Sequence, residues 1–308
     1  MNSISLTTFL SPRYWYAWPA LAVMLLASWL PSRVLWLFGI ALGEFVSWFP
    51  TSNRRFAERN IELCFPSMSP AERHRLVKRH FRLSGFSMLS LSVAWFAPRW
   101  RVRRFITVRD QQYLDKEVKK GRHVILFAPH FISLDMGGAR LATMSDNNIN
   151  FVSMYRKARD PLLGYLFTRR GRFGSLLVER MESLKTIIRA IREGRIFYYL
   201  PDQDMGVRSS VFVPFFGIPA ATITILSRLA ETTNAEVIPC ITRILPYGRG
   251  YEMCLYPPFE NYPTDDPVED AKRMNQEIEK WVREMPEQYM WTYRRFKTRP
   301  NGEKSLYE

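Results

Sequence analysis

The chain has 308 residues, of which 44 are Lys or Arg and 29 are Asp or Glu, so its formal net charge is +15 at pH 7. This length is enough to bury a hydrophobic core without disulfides or structural metals. Cys64, Cys240 and Cys254 are odd in number, far apart and set in apolar surroundings, which argues against a disulfide or zinc framework. The positive charge favours a polyanionic partner: nucleic acid, an anionic membrane, an acidic carrier protein or a phosphorylated lipid.

Residues 1–49 contain two apolar stretches and are predicted to form a membrane anchor ahead of a main domain over residues 50–308. Residues 14–30 carry no charge in 17 positions, and as a helix they would extend about 26 Å against a hydrocarbon core of about 30 Å. Residues 34–49, interrupted by Glu44, fit a helix in the membrane interface, with a second span as the alternative. A secretory signal peptide and a buried core helix remain competing interpretations of the first stretch.

The charges around this N-terminal region indicate an orientation. Arg54, Arg55 and Arg59 follow the apolar stretches, whereas Arg13 alone precedes them. Positive residues are retained on the cytoplasmic side of a membrane, so the main domain is predicted to face the cytoplasm.

The rest of the chain has the element pattern of an α/β fold. Residues 69–72 combine an N-cap serine, a first-turn proline and an early glutamate, which predicts a helix that ends before Pro98. After residue 123, apolar runs typical of strands alternate with helical segments. The predicted strands are 124–128, 150–154, 196–200, 236–242 and 251–256, and the predicted helices lie near 134–144, 160–170, 182–193 and 222–233. This alternation predicts a mostly parallel sheet flanked by helices on both faces.

The run 124–128 is followed by the strongest chemical signal in the chain. Pro129 removes a backbone donor, so His130 is expected in the loop just beyond the carboxyl end of the strand. Ser133 is placed to cap the next helix, and Asp135 falls in its first turn. From there, Asp135 can orient a neutral imidazole and stabilise it once it has taken a proton from a hydroxyl group. The alternative is a structural histidine at a strand end beside a helix-start aspartate.

Charged residues follow two further predicted strands. Arg156 follows the second strand as His130 follows the first, and Asp202 follows the third. Because the carboxyl ends of parallel strands share one edge of a sheet, these side chains are expected near one another. Asp202 is predicted to hold Arg156, or alternatively Arg208, by a charge-assisted hydrogen bond. A magnesium site at Asp202 and Asp204 is a further alternative.

The spacing of His130 and Asp135 resembles the His-x-x-x-x-Asp signature of glycerolipid and lysophospholipid-type acyltransferases. Further blocks resemble the late acyltransferases of lipid A biosynthesis, and the lauroyl branch in particular. These blocks are residues 12–15 (PRYW), 59–66 (RNIELCFP), 155–156 (YR), 201–204 (PDQD), 208–216, 286–291 (PEQYMW) and 295–300 (RFKTRP). The spacing alone is a weak pattern, but the whole set in this order is specific and spans nearly the entire chain.

The resemblance implies a glycerolipid acyltransferase-like α/β fold and an enzyme at the bacterial inner membrane. It implies transfer of a fatty acyl chain, lauroyl or near it, from acyl carrier protein to a hydroxyl of a Kdo-bearing lipid IVA precursor. No cofactor, metal or nucleic acid is expected. His130 would be the general base oriented by Asp135, while Arg156, Asp202 and Arg208 would bind substrate. Arg156, together with backbone donors, would also stabilise the oxyanion.

Two alternative functions remain open on the sequence. The first is another membrane lipid acyltransferase, which uses acyl-CoA as donor or a glycerolipid as acceptor. The second is a non-catalytic basic protein that binds a membrane or nucleic acid, for which replacing His130 would have no measurable effect. The basic and aromatic residues over 291–299 fit a membrane interface, since no nucleic-acid fold signature accompanies them.

Overall fold

The computed structural model of the protein describes residues 6–147, 149–180 and 184–307. The α-helices are α1 (Ala17–Ala27), α2 (Ser32–Ser47), α3 (Ser52–Cys64), α4 (Pro70–Phe96), α5 (Arg99–Phe105), α6 (Gln112–Lys119), α7 (Leu134–Ala142), α8 (Pro161–Thr168), α9 (Leu184–Arg192), α10 (Ile225–Thr233) and α11 (Pro267–Glu284). The strands are β1 (Ile106–Arg109), β2 (His123–Phe127), β3 (Phe151–Tyr155), β4 (Leu176–Glu179), β5 (Ile196–Tyr199), β6 (Ser210–Phe215), β7 (Ile218–Ile223), β8 (Ala235–Ile244) and β9 (Tyr251–Leu255).

Seven of these strands form one sheet in the order β1-β9-β8-β2-β5-β3-β4. Every neighbouring pair is parallel except β8 and β9, which are antiparallel because the short connection between them does not allow a crossover. The predicted mostly parallel sheet is therefore confirmed. Strands β6 and β7 form a separate antiparallel hairpin that packs on α11.

The central strand β2 shows how the sheet is covered on both faces. Ile125 and Phe127 face one core, which they share with residues of α9, α10 and α11. Val124 and Leu126 face the other side, where Leu114 of α6 packs with them. Successive side chains of a strand point to opposite faces, so a continuous apolar run indicates a strand buried on both sides.

The start of α7 differs from the prediction in its capping. The Ser133 hydroxyl makes no capping hydrogen bond and instead donates to the carbonyl of Thr242 in β8. The backbone of Ser133, with φ −97° and ψ 7°, lies outside the extended region that N-cap residues usually adopt. The serine therefore ties the helix start to the neighbouring strand, while α7 itself begins where it was predicted.

The N-terminal segment is built into the body of the protein. Phe9, Leu21 and Leu35 are buried in one core with Phe86 of α4. Among the helices that the structure describes, no single one is long and apolar enough to span a membrane, and α1 has 11 residues. Helices α2 and α3 together have the length and apolar composition of a membrane span, but a bend of 90° separates them.

Helices α2 and α4 touch through glycines. A Cβ atom added at Gly43 would lie 2.1 Å from the backbone oxygen of Phe81, and one added at Gly85 would lie 2.2 Å from the backbone oxygen of Gly39. These distances are shorter than any tolerable contact between non-bonded atoms, so the two helices approach this closely only because the side chains are absent.

Gly43→Ala is therefore expected to push α2 away from α4 and to lower the free energy of unfolding by about 1–3 kcal/mol, as overpacked cores generally do. Gly138→Ala in α7 is the matched control, because its Cβ would meet nothing closer than 3.8 Å and alanine is the better helix former by about 1 kcal/mol. Thermal unfolding in detergent measures both. A Gly43→Ala protein as stable as the wild type would contradict the close packing.

Candidate active site

His130 lies three residues beyond the end of β2, at the carboxyl edge of the sheet, as predicted. Its ring Nδ1 lies 2.5 Å from Oδ1 of Asp202, and its backbone N–H donates to Oδ2 of the same carboxylate at 2.9 Å. The His130 side chain is 17% exposed, whereas that of Asp202 is 1% exposed. A carboxylate at Nδ1 fixes the tautomer that carries its proton there, which leaves Nε2 as the nitrogen with a free lone pair.

Asp202 follows β5, which is the neighbour of β2 in the sheet. The hydroxyl of Tyr289 donates a third hydrogen bond to this carboxylate, at 3.2 Å from Oδ2. Burial by itself would raise the pKa of Asp202, but the charge and hydrogen bonds of His130, together with the charge of Arg295, bring the pKa below its ordinary value. Asp202 is thus held as an anion against the imidazole ring.

A C-terminal segment supports the histidine loop from behind. The Met290 N–H donates to the carbonyl of His130 at 3.0 Å, and the Ile132 N–H donates to the carbonyl of Gln288 at 2.9 Å. Phe131 and Tyr289 face each other as an isolated antiparallel bridge. This bracing was not predicted from the residues themselves, because the block 286–291 was noted only for its resemblance to the family.

Asp135 does not orient His130 in this structure, contrary to the prediction. Its carboxylate faces Arg170, with Nε of the guanidinium 2.8 Å from Oδ1 and Nη2 donating to Oδ2 at 3.0 Å. Within the described ranges, no hydrogen bond joins Asp135 to His130. The carboxylate that contacts the imidazole is Asp202, because the segment after β5 places it within hydrogen-bond distance of Nδ1.

Arg156, directly after β3, and Arg208, between β5 and β6, are both exposed, and neither forms the predicted charge pair with Asp202 in the part of the chain that the structure describes. Asp202 is buried, and its two oxygens already accept hydrogen bonds from His130 and Tyr289. Arg180 follows β4 next to Arg156, and its backbone N–H donates to the carbonyl of Tyr155 at 2.8 Å. Arg156 and Arg180 therefore form an exposed basic edge at the carboxyl ends of β3 and β4.

The second acidic residue of this loop has a structural role. Asp204 accepts hydrogen bonds from the backbone N–H and the hydroxyl of Thr298 at 2.6 and 2.7 Å, and from the Gly206 N–H at 3.0 Å. It ties the loop to the C-terminal segment, and it does not share a site with Asp202. Among the described residues there is no group of three or more His, Cys, Asp or Glu side chains with the geometry of a metal site.

A pocket lies beside the Asp135–Arg170 pair, between α4, α7 and the sheet. Most of its wall is apolar, with Trp95 from α4, Leu141 from α7 and Phe151 from β3. Such a lining suits a hydrocarbon chain, and the ion pair gives the pocket one polar end.

Comparison with known proteins gives a consistent picture. A sequence model of the family described as bacterial lipid A biosynthesis acyltransferase matches residues 3–298. The lipid A biosynthesis lauroyltransferase of Escherichia coli (strain K12) is 37% identical over 98% of this chain and 97% of its own. The lipid A biosynthesis palmitoleoyltransferase of the same organism is 36% identical over 97% and 96%. The chain belongs to the bacterial lipid A biosynthesis acyltransferase family.

The family predicted from the sequence blocks is confirmed, and the protein is an acyltransferase of lipid A biosynthesis. The lipid A biosynthesis myristoyltransferase of Escherichia coli (strain K12) is 30% identical over 98% of this chain and 93% of its own. The relatives therefore differ in the acyl chain that their names give. A solved 1-acyl-sn-glycerophosphate acyltransferase from Thermotoga maritima covers 82% of this chain and 98% of its own, at 13% identity and a TM-score of 0.39. That score is too low to equate the two folds.

Proposed function

We propose that this acyltransferase moves a fatty acyl chain, lauroyl or one of similar length, from acyl carrier protein to a hydroxyl of a Kdo-bearing lipid IVA precursor. The observation that carries the proposal is the His130–Asp202 pair at the carboxyl edge of the sheet, in a chain of this family. The 37% identity to a lauroyltransferase favours lauroyl over the other chains only slightly, since a palmitoleoyltransferase is 36% identical.

In the proposed mechanism, His130 is the general base. Its Nε2 takes the proton of the acceptor hydroxyl as the oxygen bonds to the thioester carbonyl carbon, and Asp202 stabilises the imidazolium that forms. The carbon–sulfur bond then breaks, and the imidazolium returns the proton to the leaving thiolate. The reaction passes directly from donor to acceptor, so no covalent acyl-enzyme is required.

The basic edge is proposed to bind the anionic acceptor. Arg156 and Arg180 are exposed directly after the neighbouring strands β3 and β4, and Arg208 is exposed on the segment between β5 and β6. Guanidinium groups bind phosphate through paired, charge-assisted hydrogen bonds, so this edge suits the phosphates of a lipid A precursor. Arg156 is also proposed to stabilise the oxyanion together with backbone donors.

The pocket beside Asp135 is proposed to hold the transferred acyl chain. Its apolar wall of Trp95, Leu141 and Phe151 offers a hydrocarbon chain a surface protected from water. Asp135 remains a proposed site residue, but through Arg170, because their ion pair would fix the polar end of this pocket.

The N-terminal face is proposed to lie in the cytoplasmic leaflet of the bacterial inner membrane. Helices α1 and α2 expose large apolar side chains, including Leu26 at 71%, Leu37 at 68% and Phe38 at 62%, and Trp48, directly after α2, is 64% exposed. Exposed apolar residues in this number on neighbouring helices are typical of a surface that binds a protein or a membrane. Helices with such a face bind the membrane interface lengthwise, which places the site beside its lipid substrate.

The test of the function is acyl transfer by the purified enzyme. Lauroyl-acyl carrier protein and lauroyl-CoA are each offered with Kdo-bearing lipid IVA and with a lysophosphatidate, and the products are identified by mass spectrometry. We expect transfer from the carrier protein to the lipid IVA derivative. Transfer only from lauroyl-CoA, or only to the glycerolipid, would support the alternative membrane acyltransferase. Lipid A from cells with and without the gene provides the same comparison in vivo.

Leu26→Glu combined with Phe38→Glu is expected to release most of the protein from vesicles of zwitterionic and anionic phospholipid, because each charge would have to enter the apolar interface. Val268→Glu is the matched control, since Val268 is 45% exposed on α11, which packs in the other core. Vesicle flotation measures binding. Deleting residues 1–49 is less informative, because it would uncover the buried Phe86. Undiminished binding of the double variant would contradict the proposed membrane face.

A further inference from the structure

Arg295 is a positive charge buried without an acidic partner. Its side chain is 2% exposed, and its guanidinium donates to the carbonyl of Ala221 at 2.9 Å, to the hydroxyl of Thr222 at 3.0 Å and to Oδ1 of Asn275 at 3.1 Å. Within the described part of the chain, none of its hydrogen-bond partners is a carboxylate. A buried cation is costly unless a nearby charge compensates it, so this arrangement requires an explanation.

Two buried aromatic side chains, Phe215 and Tyr289, connect Arg295 to the His130–Asp202 pair. The guanidinium carbon lies 5.1 Å from the ring centroid of Phe215, and the Phe215 ring is 6.0 Å from that of Tyr289. The Tyr289 hydroxyl in turn donates to Asp202 at 3.2 Å. Phe215, Tyr289 and Asp202 are all buried, so the medium between the two charges is protein and not water, and screening is weak.

We propose that Arg295 is a positioning residue for catalysis that acts through Asp202: its buried charge keeps the Asp202 carboxylate ionised against the imidazole of His130. The proposal rests on the proposed role of His130 as the general base. Asp202 and Arg295 then attract each other across the intervening side chains. Each charge offsets part of the free-energy cost of burying the other. The neutral partners Thr222 and Asn275 hold the guanidinium in place between the β6–β7 hairpin and α11.

The other groups that face Asp202 do not supply a permanent positive charge. Tyr198 and Tyr199 come from β5, and Tyr289 and Tyr293 come from the C-terminal segment; burial raises the pKa of each of these phenols, so all four are neutral at pH 7. Asp204, on the same loop, is a second negative charge. His130 is positive only after it takes a proton. Burial, the largest effect, raises the pKa of Asp202. His130 lowers that pKa, and the charge of Arg295 lowers it further.

The test is the pH dependence of kcat/KM for lauroyl transfer. At low pH, kcat/KM falls as the His130–Asp202 pair binds a proton, and this part of the profile is its acid limb. A nearby positive charge opposes that proton binding. Arg295→Met, which removes the charge, is therefore expected to shift the acid limb to higher pH by about one unit. The limb reports the pair as a whole. Arg295→Lys keeps the charge and is expected to hold the limb within about 0.3 units of the wild type, even where the lost hydrogen bonds lower its stability.

Two controls separate charge from architecture. Thr222→Val and Asn275→Leu remove the neutral partners of Arg295 and keep its charge, so they are expected to lower the melting temperature and leave the acid limb in place. Should Arg295→Met fail to fold, Arg295→Gln removes the charge, keeps a hydrogen-bonding head group and is read in the same way. An unmoved limb in the neutral variants, or an equal shift in Arg295→Lys, would overturn this inference alone. Absence of transfer by the wild type would overturn the proposed function instead.

Discussion

Replacement of His130 by alanine is expected to lower acyl transfer by about 10² to 10⁴, the usual contribution of a positioned general base. Without Nε2, no described side chain in this arrangement takes the proton of the acceptor hydroxyl as its oxygen attacks. The loss should appear in kcat, with little change in KM for the acceptor, because the imidazole acts on the transition state and not on the bound substrate. Steady-state transfer from lauroyl-acyl carrier protein measures both constants.

His123→Ala is the matched control for this substitution. His123 begins β2, whereas His130 follows its end, so the two histidines lie at opposite edges of the same sheet. The His123→Ala enzyme is expected to retain nearly full activity and the same membrane binding. A His130→Ala enzyme within about threefold of the wild type, or a His123→Ala enzyme equally inactive, would be incompatible with His130 as the base.

Asp202→Asn is expected to have an effect of similar size, on the order of 10² or more. The amide keeps the volume of the buried group but removes the negative charge that stabilises the imidazolium, and it can present an N–H to Nδ1, which favours the wrong tautomer. Because Asp202 acts only through His130, adding Asp202→Asn to His130→Ala should cost little more. Losses that multiply in the double variant would show that the two residues act independently.

Asp135→Asn is the informative comparison, because the sequence and the structure assign this carboxylate differently. The structure pairs Asp135 with Arg170 at the edge of the apolar pocket. The loss of activity in Asp135→Asn is therefore expected to multiply with the loss in His130→Ala. The loss in Asp202→Asn is not expected to do so. The reverse result, with Asp135 coupled to His130 and Asp202 independent of it, would favour the orientation that the motif suggested.

The elements that the sequence located well are those buried on both faces. The run 124–128 is apolar at every position because β2 lies in the middle of the sheet. Its neighbour β5 is likewise buried at all four of its positions. Of the seven strands in the main sheet, β1 and β4 are the two that the sequence does not predict. Each has four residues at an edge of the sheet and ends in a charged residue, Arg109 or Glu179, so neither presents an apolar run long enough to recognise.

The position of His130 followed from local rules, since a proline after a buried strand places the next residues beyond the sheet edge. Its partner did not follow from them. Proximity in sequence favoured Asp135, five residues away, whereas the hydrogen bond goes to Asp202, 72 residues later. The tertiary structure decides this choice because β5 pairs directly with β2, which aligns the chain after one strand with the chain after the other.

By itself, the sequence determined the α/β class, the edge of the sheet that carries the histidine and the family to which the chain belongs. Only the tertiary structure decided which carboxylate contacts the histidine. It also placed Tyr289 against that carboxylate and Arg295 against the neighbouring Phe215. The difference has a physical reason. Periodicity records which side of an element is buried, a property of neighbouring residues, whereas a buried hydrogen bond or charge depends on every group that folding brings to the same place.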